Sequence, residues 1–511
     1  MRTKNNLTIY YGDIHNHCGA SYGHGPVEDA IANAKMQLDF VSVTGHALWP
    51  DMPRQQHGME RRIKYHEDGF KKLAACWDHF VEVTDSANED GSFVSFLGYE
   101  KHSCHSGDQT VMYRDGKGSI LQTQTVPELR DELSKLNEQG IACMTFTHHI
   151  GYKQGYRGIN WEEHEDHPLS PVVELFSMHA CSESDETAYP YLHSMGPCDH
   201  DSTYSAGLKM GRIVGCIAST DHHSAHPGSH GHGRLAVCAP ELTRKAIWDA
   251  ILNRRTIALT GDNIEIDISV NDGSIGDVIE EPTDKRDIRF RIKGGGAIRT
   301  IELVKNEKVL KHFFVPKVTK VAEENKTVRA KIGLEVGWGS RGKPMLWDAS
   351  FGISDGKILA AEPRFKGSEV VSPTDHEDDF RFSEWNQESG QSVQFKTKTQ
   401  GNSTPVTNSN QGFCLEVEMP LDAKIEMELN GAKFSHTLRE VLCGARSGYI
   451  SGYGTPAYRV VAALPESYEF EAQIEDTAEG DPLPNGMDCY RLRVEQYNKQ
   501  WAWSSPIWIK H

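Results

Sequence analysis

The sequence predicts an α/β fold: a seven-stranded β/α barrel over residues 1–261, followed by an antiparallel β-sandwich region of one or two modules over 262–511. Three observations lead there. Short apolar runs rich in β-branched and aromatic residues alternate with amphipathic helical stretches as far as residue 261. Of the 25 histidines, 21 lie before residue 235. Beyond residue 262 the pattern becomes alternating strands with polar turns.

Taken in order, the strand-like runs are LTIYYGDIHNH, DFVSVTGHA, SFVSFLGYE, TVMYRD, IACMTFTHH, VVELFSMH and RIVGCIASTDHH. Between several of them lie stretches with helical periodicity, PVEDAIANAKMQ, GMERRIKYHEDGFKKLAACWDHF and TVPELRDELSKLNEQG. Near-continuous apolar strands with intervening helices call for a parallel sheet covered by helices, and seven units in this length favour closure into a barrel. A last helix, LTRKAIWDAILNRR, and TIALTGDN precede the β region. That region holds strands such as IEIDISVNDGS, DIRFRIKGGG, IRTIELVKNEKVL and DCYRLRVEQYNKQWAWSSPIWIK. The tract around 363–412, with SPTDHEDD, reads as a loop-rich excursion.

The chain has 511 residues and a net charge of −18. No run of Lys/Arg exceeds a pair, so nucleic acid is not the expected partner. No stretch of eighteen apolar residues occurs, which excludes a transmembrane helix, and the N-terminal segment lacks the pattern of a secretory signal, so the expected compartment is the cytoplasm. The 11 cysteines are scattered without a CxxC pair, as in reduced, mostly buried thiols. The expected partner is a small-molecule substrate. The β region is compatible with capping the barrel mouth, binding substrate or forming a homo-oligomer.

Active sites of β/α barrels lie at strand C-termini, and here the runs end in ligand-type residues. Asp13, His15 and His17 end the first, His46 the second, Glu100 the third, His148 and His149 the fifth, and Asp221 and His223 the seventh. His15 and His17, at i and i+2, can face the same side of an extended segment and share one ion, and Asp221 and His223 repeat that spacing. The coincidence across five strands points to a metal site. His24, His102, His105 and His179 are ligand candidates further out, whereas His222, His226, His230 and His232 read as loop residues.

The order GDIHNH, VTGHA, GYE, THH, VEL and STDHHS resembles the polymerase-and-histidinol-phosphatase (PHP) superfamily of metal-dependent hydrolases, whose fold is a distorted seven-stranded β/α barrel. LGYE with HSGDQTVMY, ASTDHHSAHPGSHG and the terminal AWSSPIWI further resemble its DUF3604 subfamily. The resemblance implies two or three divalent ions (Zn, Mn or Fe), with ligands drawn from His15, His17, His24, His46, Glu100, His105, His148, His149, Asp221 and His223. A fourth-strand ligand stays open between His105 and His102. Glu100 is the implied bridge, and Glu100, Asp221 and His46 are the implied catalytic residues. Gly45 stands where the family usually has an aspartate beside the histidine. Asp13 and Glu174 read as partners that orient ligand imidazoles.

The expected chemistry is hydrolysis of an ester-type bond (carboxylic ester, amide, carbamate or phosphoester) by water activated between two ions. A strict phosphoesterase is the alternative, and a metal-stabilised carbohydrate- or ligand-binding module is the alternative of another class. Trp49, Tyr152 and Trp161 are expected to wall the substrate pocket, with Arg157 and Arg234 available to phosphoryl oxygens.

Overall fold

A computed structural model describes every residue except 1, 2, 4, 165, 192–195, 320–326, 339–342, 369–379 and 402–407. The seven expected strands form as β1 (Thr8–Asp13), β2 (Phe40–Leu48), β3 (Val94–Lys101), β4 (Asp108–Tyr113), β5 (Cys143–His148), β6 (Val172–Ser177) and β8 (Gly215–Ala218). Three more join them: β7 (Ala180–Cys181), β9 (Arg234–Ala239) and β10 (Thr256–Leu259).

The sheet is mixed, which corrects the expectation of parallel strands. β1–β2, β2–β3, β5–β6 and β6–β8 are parallel, while β4 runs antiparallel to both neighbours and β9 runs antiparallel to β1 and β10. The cause is local. Only residues 102–107 connect β3 to β4, too few for the dozen or more that a parallel crossover requires. No backbone ladder joins β8 to β9 or β10 among the described residues, but the Thr256 hydroxyl donates to the Cys216 carbonyl across that seam at 2.9 Å.

Helices cover the sheet with the faces their sequences provide. Helix α1 (Val27–Gln37) buries Val27, Ala30, Ile31 and Ala34, spaced i, i+3, i+4 and i+7. Helix α2 (Glu60–Ser86) buries little beyond Gly69, Leu73, Phe80 and Thr84. A Cβ on Gly69 would stand 2.6 Å from Tyr22, so the missing side chain lets that ring pack against the helix. Helix α3 (Val126–Glu138) starts from a reciprocal cap between Thr125 and Glu128. The short α4 (Tyr204–Lys209) and α5 (Arg244–Leu252) complete the set.

The sheet does not stop at residue 261. β10 pairs antiparallel with Trp501–Ser504, which continues into Met487–Gln496 and Ile507–Lys510. A buried ionic network ties the two parts together. Glu183 accepts from Arg491 at 2.6 Å, from Arg493 and from the Trp503 indole at 2.7 Å, and Arg491 also grips Glu307 at 2.7 and 2.8 Å. Glu183→Ala would take one of two carboxylate partners from each of two buried guanidinium groups, leaving Arg491 with Glu307 and Arg493 with Glu302, so we expect about 1–3 kcal/mol of destabilisation in chemical denaturation; an unchanged midpoint would show that the network adds nothing.

Two five-stranded antiparallel sheets face each other across a core that includes Leu334, Leu415, Phe351, Phe395 and Met427, giving a sandwich. A separate four-stranded antiparallel sheet holds Glu265–Val270 and Lys285–Lys293. The 363–412 tract is not wholly an excursion, because Glu384–Ser389 and Ser392–Thr399 are strands of the second sandwich sheet. SPTDHEDD (372–379) lies outside the described residues. No described helix is long and apolar enough to cross a membrane, and none of the 11 cysteines is paired.

Candidate metal centre

Strand register assembles the site. His46 on β2 lies opposite Glu100 on β3, Glu100 opposite Thr110 on β4, and Asp108 on β4 opposite His148 on β5. The His15–Asn16–His17 segment beyond β1 is held from both sides. His17 N donates to the His222 carbonyl and Asp221 N to the His15 carbonyl, each at 2.8 Å, and Thr44 N on β2 donates to the Asn16 carbonyl. The two imidazoles converge, with Nε2 atoms 3.3 Å apart.

Two buried carboxylates divide these imidazoles between them. Glu100 Oε2 lies 3.2, 3.3 and 3.6 Å from Nε2 of His17, His46 and His15, while its Oε1 lies 2.9 Å from His102 Nδ1 and 3.2 Å from His148 Nε2. Asp221 Oδ1 stands 2.9 Å from His17 Nε2 and 3.4 Å from His15 Nε2, and its Oδ2 stands 3.2 Å from His149 Nε2 and 3.0 Å from His179 Nε2. Among the described residues five overlapping groups of these side chains could each hold an ion: His15/Glu100/His148/His149, His17/His46/His223, His15/His17/Asp221, His46/Glu100/His102 and His149/His179/Asp221.

The donor set fits divalent cations. Glu100 Oε2 and Asp221 Oδ2 are buried yet accept no hydrogen bond, although imidazole nitrogens surround both. Ligand atoms held at about 2.0–2.1 Å around a tetrahedral ion stand roughly 3.4 Å apart, a value inside the 2.9–3.6 Å spread of the contacts here. Burial pushes the His148 imidazole down to about 4 and that of His223 to about 3, leaving both neutral with lone pairs to give. Burial opposes ionisation of Glu100, but the imidazoles around it, foremost His102, itself raised to about 9, outweigh it and hold the carboxyl well below its usual range. His149 and Asp221 both adopt left-handed backbone, φ 49° and 52°, a conformation that costs non-glycine residues about 1–3 kcal/mol and clusters at functional sites.

A second layer fixes the rings. The other nitrogen of His15 meets Glu174 at 2.7 Å, that of His46 meets Ser21 Oγ at 3.1 Å, that of His148 meets Thr110 Oγ1 at 3.1 Å, and that of His223 meets the Asp221 carbonyl at 2.8 Å. Burial raises the Glu174 carboxyl to about 7 despite the His15 ring that opposes the rise. Loss of such a partner weakens metal binding by 10–100-fold in comparable sites. We therefore expect Glu174→Ala to bind its most loosely held ion about tenfold more weakly or worse in chelator competition; unchanged affinity would reduce Glu174 to a packing role.

Several expected residues sit elsewhere. His105 is largely exposed and paired with Glu163 at 2.9 Å, because the Ser103 hydroxyl and the backbone amides of residues 104 and 105 donate to Asp51 and turn its ring outward; His102 takes the place beside Glu100. His24 belongs to none of the five groups, its ring lying parallel to Phe380. Asp13 orients no imidazole. It accepts from the backbone amides of His15, Thr220 and Gly228, lacing the end of β1 to the segment that carries Asp221. Arg234 is fully buried, bonded to Asn263 and the Gly228 carbonyl, and out of reach of substrate. Trp161 is buried in the core beneath α4, its indole donating to the Thr203 carbonyl. Gly45 leaves no room for an acid, since a Cβ there would stand 2.7 Å from Leu73 of α2.

Other residues do border the centre. Tyr152 packs 5.9 Å from the His149 ring. Trp49 lies against His66, His102 and the Arg157 guanidinium. Arg157 is gripped by Asp108, with Nε to Oδ2 at 2.7 Å, and Nη2 reaches His102 Nδ1 at 3.2 Å. Sequence reasoning missed Asp108 and Tyr22. Tyr22 stacks 3.5 Å from the His46 ring and meets His102 Nε2 at 2.9 Å. Asp108 left no readable signal, because it stands at the start of a strand whose direction, antiparallel to the one bearing Glu100, the sequence does not show.

No family model matches the chain. It is 23% identical over 256 residues to an uncharacterized protein of Chlamydia trachomatis serovar D, covering 45% of this chain and 39% of that one. An uncharacterized protein of Chlamydia pneumoniae is 20% identical over 265 residues, covering 47% and 41%. The chain thus spans about two fifths of the length of the curated relatives it matches. Among solved structures it is distantly similar to a two-domain protein of Bacteroides vulgatus described as containing a predicted PHP-like metal-dependent phosphoesterase. That match has 11% identity, 86% of this chain and 97% of the other covered, and a TM-score of 0.33.

Proposed function

We propose that the protein is a metal-dependent hydrolase of ester-type bonds, acting on a small molecule at the His/Glu/Asp cluster, with carboxylic esters and carbamates favoured over phosphoesters. The observation that carries the reading is the pair of buried carboxylates, Glu100 and Asp221, each splitting its two oxygens between separate sets of imidazoles. Two or three divalent ions bound there would supply Lewis acidity and water made acidic enough to attack near neutral pH.

The chain's own groups do the rest. His15, His17, His46, His148, His149 and His223 would hold the ions as neutral ligands, Glu100 would bridge them, and His102 and His179 complete the set. Asp221 Oδ2, which accepts no hydrogen bond, would take the proton of the attacking water and return it to the leaving group. Trp49 and Tyr152 supply apolar surface beside the reacting bond.

Preference for a carbonyl substrate rests on the cations. Arg157 borders the cluster but its charge is matched by Asp108, and Arg234 is sealed in the core. The test is kcat/KM for one aryl carbamate and one aryl phosphate, on wild type and on Arg157→Ala, with metal added and then chelated. We expect metal-dependent turnover of the carbamate and a carbamate-to-phosphate ratio that Arg157→Ala leaves within about threefold, because taking the ratio cancels general damage to the site. A wild-type preference for the phosphate that shrinks by about 2–4 kcal/mol in Arg157→Ala would assign the enzyme to phosphoryl transfer instead. Absence of turnover with every added metal would favour a binding module.

A further inference from the structure

The rings of the histidine cluster do not all face it with the same nitrogen. His15, His17, His46, His148, His149 and His179 turn Nε2 toward Glu100 or Asp221. His102 turns Nδ1, which lies 2.9 Å from Glu100 Oε1. It stands in the turn after β3, where its amide donates to the Leu48 carbonyl at 2.9 Å. Binding an ion at Nδ1 displaces any proton there and leaves the ring a single one, on Nε2. That is the opposite tautomer from the one required of His15, His46 and His148, whose Nδ1 atoms meet Glu174, Ser21 and Thr110. The Arg157 guanidinium stands 3.2 Å from His102 Nδ1, and a donor there agrees with a lone pair on that nitrogen.

The outer nitrogen of His102 then carries the proton and needs an acceptor. Among the described residues the Tyr22 hydroxyl, 2.9 Å from Nε2, supplies it. Tyr22 is held in place from three sides. Its ring lies flat on that of His46, with 3.5 Å between centroids and 20° between planes. The Tyr65 hydroxyl of α2 donates to its carbonyl at 3.0 Å, and the bare Gly69 of the same helix makes room for the ring. The preceding residue, Ser21, bonds the outer nitrogen of His46, so neighbouring residues of the β1–α1 loop hold ligand rings from the ends of two strands. A phenol suits the place. Glu100 and Asp108 already lie within 3.2 Å of the inward nitrogen, and a neutral acceptor orients the ring without adding a third carboxylate.

We infer that Tyr22 is a positioning residue of the metal centre: its oxygen accepts from His102 Nε2–H and so holds His102 in the tautomer that gives Nδ1 to an ion shared with Glu100 Oε1. This rests on the reading of the cluster as a metal centre, and it adds an ion-specific role for a residue of the β1–α1 loop.

Zn(II) binding by the full chain tests it without any substrate. In chelator competition Tyr22→Phe, which keeps the ring on His46, should weaken one ion per chain by about tenfold or more and leave the others within about threefold. The loss should run through His102, so adding Tyr22→Phe to His102→Ala should change Zn(II) affinity by less than about threefold. Nitrogen NMR of the Zn(II)-loaded chain labelled at histidine reads the tautomer directly. One ring should show a metal-bound Nδ1 with a protonated Nε2; that signal should be absent from His102→Ala, and in Tyr22→Phe its N–H should shift or be lost to solvent exchange. Unchanged affinity for every ion in Tyr22→Phe would overturn the inference while leaving the metal centre standing. So would a loss that persists undiminished in the His102→Ala background, or a His102 ring that keeps its proton on Nδ1. Wild type that binds no Zn(II) would overturn the metal centre and this inference together.

Discussion

Replacing Glu100 by glutamine is expected to lower turnover of the best substrate by at least about a hundredfold, with loss of at least one ion per chain. The side chain keeps its shape, so the effect isolates charge. Its two oxygens face five imidazole nitrogens between 2.9 and 3.6 Å away, and among the described residues no other carboxylate reaches both sets. Two dications about 3.5–4 Å apart repel strongly, and a negative bridge is what allows both to stay. An amide also presents an NH₂ group toward imidazoles whose lone pairs already point inward. Elemental analysis of wild type and Glu100→Gln prepared alike, with kcat/KM on each, measures the outcome. Retention of full metal content and near-normal turnover would make Glu100 an ordinary buried carboxylate and remove the bridge from the proposal.

Much of the centre could be read from the sequence because its residues sit at the ends of strands, where an apolar run makes the boundary plain. His15, His17, His46, Glu100, His148, His149, Asp221 and His223 were all placed there, and the structure brings them together. The misplacements share a physical cause. His105 and His102 lie in one short connection, and which of them turns inward depends on Asp51, some fifty residues away, capturing the Ser103 hydroxyl and the backbone amides of residues 104 and 105. Asp13 looked like a ring-orienting carboxylate, but its oxygens are taken by amides of a loop more than 200 residues later in the chain. His179 faces Asp221 only because the tight β6–β7 hairpin, with Ala180 at φ 104°, turns it back over the site. None of these long-range choices leaves a periodic trace.

The architecture follows the same division. Each strand was visible from its own composition, yet pairing direction was not. An antiparallel β4 depends on the length of one turn, and β9, antiparallel to both neighbours, carries the same apolar texture as the parallel strands. The change of texture at residue 262 is real, but sheet pairing ignores it, since β10 bonds to Trp501–Ser504 and the Glu183 network sits across the same junction. The C-terminal strands therefore extend the sheet whose strand ends carry the candidate metal ligands, as well as forming a region of their own.

His15→Ala combined with His17→Ala should abolish turnover and remove at least one ion while the chain stays folded. These rings supply the nitrogens that lie between Glu100 Oε2 and Asp221 Oδ1, at 3.2–3.6 Å from the first and 2.9–3.4 Å from the second. Without them the two carboxylates lose the ligands they share, and the remaining imidazoles divide into separate groups around His148 and His179. Folding should survive for reasons visible around each ring. Glu174, deprived of its His15 partner, is already raised to about 7 by burial and can take up a proton instead of leaving a buried charge. His17 Nδ1 has no hydrogen bond to lose, and the backbone bonds through His17 N and the His15 carbonyl do not depend on side chains. Near-UV circular dichroism should match wild type, and elemental analysis after growth with ample Zn, Mn and Fe should show the deficit. A variant that keeps wild-type metal content, or one that turns over substrate at more than about a hundredth of the wild-type rate, would place the ions elsewhere and sink the centre described above.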